Sequence, residues 1–238
     1  GKGLPAGLGN LVLKAAIELR KKTGIKTGAR MTLQKNIPVA AGIGGGSSDC
    51  AAALKGLAQL WNIDTNAIDL AQLSLRLGSD VPVCLFGRTA FMSGKGEVIT
   101  NAPKLPPAWL VLVNPGVSLS TSAVFKSSKA VRKNNWSQPG RFDNSPATAS
   151  ELAFLLSNRD NDLTKAAIGL QPVIFDVLKA LQDTDSVLLT RMSGSGATCF
   201  GMFNDSESAN RAAENLILNH PEWWVCSTPL LVDTVTSL

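Results

Sequence analysis

The sequence predicts an α+β fold made of two domains. Its 238 residues are 45% hydrophobic, which provides a sizeable core and excludes a disordered chain. In the later half, apolar segments of strand length are mixed with short helical patterns, without the strict alternation of strand and helix that a parallel α/β sheet requires. A proline-rich connector at residues 103–107 indicates the boundary, and we predict domains 1–107 and 108–238.

Local signals predict the elements of the first domain. Asn10 precedes an apolar stripe and Gly24 follows a basic last turn, as the N-cap and C-cap of a helix do. Residues 31–34 alternate apolar and polar side chains, which is typical of a half-buried strand. The other predicted elements are a helix over 50–61, a helix over roughly 66–77 that ends at Gly78, and strand or loop over 81–86 and 89–93.

The second domain is predicted from runs of apolar residues and the turns between them. Residues 109–113 are continuously apolar and end at Asn114-Pro-Gly116, which predicts a buried strand. The polar stretch 127–150 predicts a long, mobile surface loop. The other predicted elements are helices near 151–156, 172–181 and 206–218, strands over 186–190 and 198–203 that suit pairing with each other, and a last strand near 224–231.

Composition excludes several classes of function. The net charge is +5 without a run of five or six like charges, which disfavours nucleic-acid binding and suits a phosphorylated, anionic ligand. No apolar stretch reaches the roughly 18 residues of a membrane span, and no signal peptide is visible. One histidine argues against a zinc site or a Ser-His triad. Four widely spaced cysteines indicate reduced, buried thiols in a cytoplasmic protein.

The sharpest motif is the glycine-rich loop Ala40-Ala-Gly-Ile-Gly-Gly-Gly-Ser-Ser-Asp49. Phosphate binding needs several backbone N–H donors at short range, and glycine permits the close approach and the unusual φ angles. A helix that starts at Ser47–Asp49 adds its positive dipole end, and the hydroxyls of Ser47 and Ser48 can bind phosphate oxygens or Mg²⁺. The loop does not match the Walker, Rossmann or hydrolase-elbow patterns. A flexible turn before a helix stays open as the alternative.

Two further segments are candidate parts of a site. Asp80 lies in Gly78-Ser-Asp-Val-Pro82, at a predicted helix-to-strand junction, where a carboxylate can orient or deprotonate an attacking hydroxyl. Taken alone, an aspartate in this position is more often a turn or capping residue. Ser193-Gly-Ser-Gly-Ala-Thr198 is a second small-residue loop, which a hairpin turn explains about as well as a ligand does.

These motifs together resemble the GHMP small-molecule kinases, and the 4-diphosphocytidyl-2-C-methyl-D-erythritol kinases most among them. Pro38-Val-Ala-Ala-Gly-Ile-Gly-Gly-Gly-Ser-Ser48 is similar to the phosphate-binding loop of the superfamily. The narrower resemblance depends on further blocks in the same order, spread over nearly the whole chain: Gly78-Ser-Asp-Val-Pro-Val83, Gly94-Lys-Gly-Glu97, Asn114-Pro-Gly-Val-Ser-Leu-Ser-Thr121, Asn161-Asp-Leu163 and Ser193-Gly-Ser-Gly-Ala-Thr-Cys-Phe200.

The resemblance implies a fold, a reaction and a set of site residues. The fold would be a ribosomal-S5-like N-terminal domain and a ferredoxin-like C-terminal domain, with the site between them. The reaction would transfer the γ-phosphoryl group of ATP, with Mg²⁺, to the 2-hydroxyl of a cytidine-diphosphate alcohol. Asp80 would be the catalytic base. The ATP phosphates would be held by Pro38, Val39, Ala40, Ala41, Gly42, Ile43, Gly44, Gly45, Gly46, Ser47 and Ser48. The substrate and the first loop would be supported by Gly194, Ser195, Gly196, Ala197 and Thr198.

The chain departs from the family pattern at its front. The first family motif, Pro-x-Lys-Ile-Asn-Leu, and the following Gly-Tyr-His segment are absent from this sequence. In the family, that region carries a lysine partner of the aspartate and the first strands of the N-terminal sheet. We therefore expect an N-terminally incomplete member that binds substrate poorly and exposes an unpaired sheet edge. The alternatives are another GHMP kinase, for homoserine, mevalonate or a sugar, and an inactive nucleotide-binding fragment.

Overall fold

The computed structural model describes residues 7–65, 67–132 and 140–231. The described residues divide into two compact units. The first unit contains residues 7–39 and 44–102, and the second contains residues 40–43 and 103–231. The chain therefore leaves the first unit for four residues, in the middle of the glycine-rich segment, and then returns to it.

The first unit is built from four helices and one β-hairpin around an apolar centre. Leu19, Leu54 and Val81 are fully buried there. After a short 3-10 helix at Gly7–Gly9, the elements are α1 (Leu11–Thr23), α2 (Gly45–Leu60), α3 (Leu70–Leu77), α4 (Val81–Phe86), β1 (Ala90–Ser93) and β2 (Val98–Asn101). The two strands pair antiparallel.

The predicted caps of α1 are confirmed. The Asn10 side chain accepts a hydrogen bond from the Val12 amide at 3.0 Å, and Gly24 ends the helix in the left-handed conformation with φ 72°. The predicted strand over 31–34 is wrong, because this segment has no regular structure. A strand needs a hydrogen-bonded neighbour, and 31–34 pairs with no strand within the described part of the chain.

Two helix boundaries and one element type differ from prediction. The helix α2 begins at Gly45 rather than at Cys50, because Gly44 takes a left-handed N-cap conformation and lets the helix start inside the glycine run. The helix α3 begins at Leu70, capped by Asp69, whereas Asn66 lies outside the described residues. Residues 81–86 are the helix α4, not strand or loop, because Pro82 suits a first turn and Gly87 forms the C-cap.

The second unit is an antiparallel sheet with helices packed against it. Its strands are β3 (Trp109–Asn114), β4 (Leu189–Met192), β5 (Cys199–Phe203) and β6 (Trp224–Pro229). They lie in the order β4-β5-β3-β6, and every neighbouring pair is antiparallel. Strand, helices, two strands, helix and strand follow one another, which is the ferredoxin-like arrangement that the resemblance implies. The helices between β3 and β4 are α5 (Thr121–Arg132), α6 (Ala149–Ser157), α7 (Thr164–Leu170) and α8 (Val173–Gln182), and α9 (Ser206–Asn219) lies between β5 and β6.

The predicted loop over 127–150 is partly wrong. The helix α5 extends to Arg132, and α6 begins at Ala149 with Thr148 as its cap. Residues 140–148 have no helix or strand, and residues 133–139 lie outside the described residues. The helix α7 was not predicted, and β4 lies about two residues later than the predicted strand 186–190. The predicted pairing of this strand with the one after it is confirmed.

All four cysteines have free thiols, as predicted, although only two are buried. Burial raises the pKa of the Cys50 thiol to about 11 and that of Cys199 to about 12.

Because the thiolate is the reactive form, we expect Cys50 and Cys199 to resist alkylation by iodoacetamide at pH 7.5 in the native protein. Mass spectrometry of alkylated peptides checks this. Rapid native labelling of Cys199 would contradict it, and labelling in urea is the control.

Candidate active site

The glycine-rich segment has alternating backbone conformations. Ala40, Gly42 and Gly44 have positive φ angles of 56°, 73° and 69°, whereas the residues between them do not. A run of residues whose φ angles alternate in sign can turn successive N–H groups toward one side, as in known anion-binding concavities of the backbone. The left-handed region costs a non-glycine residue such as Ala40 about 1–2 kcal/mol. The segment therefore keeps a costly conformation that suits a bound anion.

Within the second unit, the carbonyl groups of this segment are held by the small-residue loop 193–198. The Thr198 amide donates to the Ala41 carbonyl at 3.2 Å, and the Ser193 hydroxyl donates to the Gly42 carbonyl at 3.0 Å. In a trans peptide, the C=O and the following N–H point in opposite directions. The amides of Gly42 and Ile43 therefore point away from the loop, and neither donates to a backbone carbonyl among the described residues.

A close approach between two backbones explains the glycine at position 42. A Cβ atom built on Gly42 would lie 2.8 Å from the carbonyl carbon of Gly196 and 2.9 Å from its nitrogen. Both neighbours are backbone atoms, which cannot rotate away as a side chain can. Gly42 is thus required by its φ angle and by its contact with Gly196.

The loop 193–198 is itself anchored by side chains. The Asn114 amide group donates to the Thr198 hydroxyl at 2.9 Å, and the hydroxyls of Thr121 and Ser195 lie 2.9 Å apart. Ser195, Gly196, Ala197 and Thr198 are buried, and Gly194 is exposed. The buried side chains contact the protein, so this loop acts as a support for the glycine-rich segment.

The first unit contributes the N-terminus of α2. The first hydrogen bond of this helix joins the Ser48 amide to the Gly44 carbonyl at 2.9 Å, so the amides of Gly45, Gly46 and Ser47 precede it. These free donors and the helix dipole favour an anion at this end. Pro38 and Val39 also lie in the first unit, and Val39 is largely exposed.

An ion pair beside the first turn of α2 was not predicted. The Lys35 ammonium and the Asp49 carboxylate are 2.5 Å apart, and the Lys35 side chain is only 12% exposed. The same ammonium lies 3.3 Å from the position of a Cβ atom on Gly45. A lysine three residues before the proline of the loop was the available signal, but only the fold places it beside Gly45.

Asp80 occupies the N-cap position of α4 without capping it. Its backbone is helical and its side chain makes no capping hydrogen bond. The side chain is exposed, and it forms no ion pair with any of the described residues. The predicted helix-to-strand junction is in fact a junction between α3 and α4. The capping interpretation therefore does not explain this carboxylate. Burial and the neighbouring Asp80 charge raise the pKa of the Cys84 thiol.

The Gly94-Lys-Gly-Glu97 block forms the turn between β1 and β2, and this turn packs against Ser79, the residue before Asp80. A Cβ atom on Gly96 would lie 2.9 Å from the carbonyl carbon of Ser79, and Gly96 itself has φ 105°. The Glu97 carboxylate accepts a hydrogen bond from the Lys95 amide at 2.5 Å, which closes the turn. The glycine thus allows the hairpin to pack directly against the residue before Asp80.

Comparisons with known proteins identify the family. Residues 10–88 match the GHMP kinases N terminal domain, and residues 129–221 match the GHMP kinases C terminal domain. A 4-diphosphocytidyl-2-C-methyl-D-erythritol kinase from Paramagnetospirillum magneticum is 50% identical over 222 residues, which cover 93% of this chain and 76% of the relative. The chain belongs to the GHMP kinase family.

Other members support the same group and the same fold. A GHMP kinase from Rhodospirillum rubrum with the same name is 45% identical over 225 residues, which cover 94% of this chain and 73% of that protein. A crystal structure of 4-(cytidine 5'-diphospho)-2C-methyl-D-erythritol kinase superimposes with a TM-score of 0.72 at 32% identity, covering 94% of this chain and 79% of that one. A homoserine kinase from Cytophaga hutchinsonii, 18% identical with a TM-score of 0.71 over 98% of this chain and 79% of its own, shares the fold.

The predicted resemblance and the two-domain α+β fold are therefore confirmed. GHMP kinases use ATP as the phosphoryl donor, which agrees with the predicted class of enzyme. Within the described residues, no helix is both long and apolar enough to cross a membrane.

Proposed function

We propose that this GHMP kinase transfers the γ-phosphoryl group of ATP to the 2-hydroxyl of 4-(cytidine 5'-diphospho)-2-C-methyl-D-erythritol. The observation that carries this proposal is 50% identity, over 93% of the chain, to a relative named for that substrate. The four free thiols fit a reducing compartment such as the cytoplasm.

In this proposal, residues 38–48 bind the phosphates of ATP. Two observations support the assignment, one in each unit. In the second unit, the amides of Gly42 and Ile43 point away from the loop that binds their neighbouring carbonyls. In the first unit, the amides of Gly45, Gly46 and Ser47 lie at the positive end of α2. Backbone donors of this kind bind phosphate oxygens without a side chain.

Mg²⁺ fits the residues of this segment as a partner of ATP. The described residues hold no cluster of three acidic, His or Cys side chains that suits a metal ion. Mg²⁺ bound to nucleotide phosphates needs only one or two protein oxygens, because phosphates and water complete its octahedron. The hydroxyls of Ser47 and Ser48 are the candidates in the first turn of α2. When bound, the ion neutralises charge on the transferring group.

Asp80 is proposed as the general base, by its match to the catalytic aspartate of the family. Its carboxylate would accept the proton of the substrate 2-hydroxyl as the new O–P bond forms and the bond between the γ-phosphorus and the oxygen of ADP breaks. The side chain makes no capping bond or ion pair with the described residues, which leaves it available for this role. The cradle and the substrate would be supported by Gly194, Ser195, Gly196, Ala197 and Thr198.

The test is ADP release from Mg-ATP, with and without the cytidyl substrate. We expect release only when that substrate is present. The assay is run on this chain, with the Paramagnetospirillum magneticum relative as the positive control. Release by this chain that requires the cytidyl substrate supports the proposed reaction, and no release by this chain while the relative is active would contradict it. Release with homoserine or mevalonate instead would contradict the proposed acceptor.

Replacing Gly45 by Val should weaken ATP binding by about tenfold or more, which corresponds to a loss of at least about 1.4 kcal/mol. A branched side chain in the first turn of α2 obstructs the amides, and its Cβ atom would lie 2.6 Å from the Ile37 side chain. Isothermal titration with ATP checks this. Gly56→Val is the matched control, because Gly56 lies in the same helix with no atom near its Cβ position. Equal ATP affinity in both variants would refute the cradle.

A further inference from the structure

The connection between α6 and α7 carries a side chain that binds the support loop at two points. The Asn161 amide group donates to the Met192 carbonyl at 2.8 Å and to the Gly194 carbonyl at 2.7 Å. Its oxygen accepts from the Leu163 amide at 3.0 Å. The side chain thus spans both sides of Ser193 and is itself oriented by the start of α7.

The next contacts along this path reach the glycine-rich segment. Ser193, between the two carbonyls that Asn161 binds, donates its hydroxyl to the Gly42 carbonyl. The Ser193 amide donates to the Thr198 carbonyl at 2.9 Å, and the Thr198 amide donates to the Ala41 carbonyl. Every step is a hydrogen bond within the second unit.

We propose that Asn161 is a positioning residue for nucleotide binding, which holds Ala40–Ile43 in its anion-binding conformation through the loop 193–198. This inference rests on the proposed role of residues 38–48 in binding ATP. Ala40 has a left-handed backbone, which is strained for a residue other than glycine and persists only where surrounding contacts impose it. Asn161 supplies the outermost of those contacts.

The test compares Asn161→Asp with wild type. The aspartate keeps the size of the side chain and the acceptor for Leu163, but it places one carboxylate oxygen against the carbonyl oxygens of Met192 and Gly194. We expect the Kd and KM for ATP to rise about tenfold, because two hydrogen bonds are replaced by repulsion between oxygen atoms. The kcat should stay within about twofold. If the substitution only destabilised the protein, a smaller fraction of the molecules would be folded and active. The apparent kcat would then fall, whereas the KM for ATP would stay unchanged.

The second readout is amide hydrogen exchange at Thr198, whose N–H donates to Ala41. Faster exchange in Asn161→Asp together with weaker ATP binding supports the proposal. Unchanged ATP affinity, or weaker affinity with unchanged exchange at Thr198, overturns it. Asn158→Asp is the control, because it makes the same change three residues away on an exposed side chain, and it should leave both readouts unchanged.

A milder variant covers the case in which Asn161→Asp fails to fold. Ser193→Ala removes only the hydroxyl that joins the loop to Gly42, and we expect a few-fold rise in the Kd for ATP. An unchanged Kd in this variant overturns the proposal. ATP binding is measured without the acceptor alcohol, so the test of Asn161 stays valid if the proposed acceptor is wrong. If the wild-type chain does not bind ATP, both this inference and the proposed phosphate site at residues 38–48 are overturned.

Discussion

Replacing Asp80 by Asn is expected to lower kcat by about 10²–10⁴-fold and to leave ATP affinity within about twofold. The amide keeps the shape of the side chain but cannot accept the proton of the acceptor hydroxyl. Asp80 makes no capping bond to α4, so its charge can be removed at little cost to the fold. An exposed substitution of this kind usually changes the free energy of unfolding by less than about 0.5 kcal/mol.

Single-turnover kinetics with the cytidyl substrate and titration with ATP separate the two effects. The control is Asp143→Asn, which makes the same charge change at another exposed aspartate and should leave kcat unchanged. A thermal melt checks that the Asp80 variant is folded. An Asp80→Asn enzyme with wild-type turnover would remove this carboxylate from the mechanism, whereas a lower melting temperature with normal turnover would indicate a structural role.

Replacing Gly42 by Ala is expected to destabilise the protein by about 3 kcal/mol and to weaken ATP binding by more than about tenfold. Two costs add, because an alanine is strained at φ 73° and its Cβ atom would lie 2.8 Å from the Gly196 carbonyl carbon. Since both neighbours are backbone, one of the two loops must move. A shift of the segment also disturbs the amides of Gly42 and Ile43.

Urea unfolding and ATP titration measure these effects. Gly24→Ala is the matched control, since Gly24 has φ 72° and no atom near its Cβ position. That variant bears only the backbone strain, about 1–2 kcal/mol, and should bind ATP normally. If the two alanine variants lose the same stability, the contact between Gly42 and Gly196 contributes nothing.

Much of the fold could be predicted because its signals are local. Asn10 and Gly24 mark the ends of α1 through hydrogen bonds to residues within four positions, so neighbours in sequence are sufficient. Continuous apolar residues likewise predict β3. The short run 81–86 was ambiguous because a buried strand and a buried helix of that length have the same composition, and periodicity cannot separate them. Pro82 in the first turn and Gly87 as the C-cap decide for the helix.

The candidate site could be predicted as a set of residue types, but not as a geometry. Glycine at 42, 44, 45 and 46 and the serines that follow indicate a phosphate loop wherever they occur before a helix. They do not indicate where the helix starts, and α2 in fact begins inside the glycine run. Gly96 and Asn161 stand in blocks that support the resemblance, but the sequence does not identify the partners that they and Lys35 contact.

The sequence by itself determined the family, the caps of α1, the strands of the second unit and the residue types that a phosphate loop requires. Only the tertiary structure decided which groups of the loop 193–198 contact the phosphate loop, and what holds the loop 193–198 in place. The Ser193 hydroxyl binds the Gly42 carbonyl across 151 residues, and Asn114 binds Thr198 across 84. Contacts at such separations depend on the order of strands in the sheet. Local propensity carries no information about that order, because it is set by the burial of the whole core.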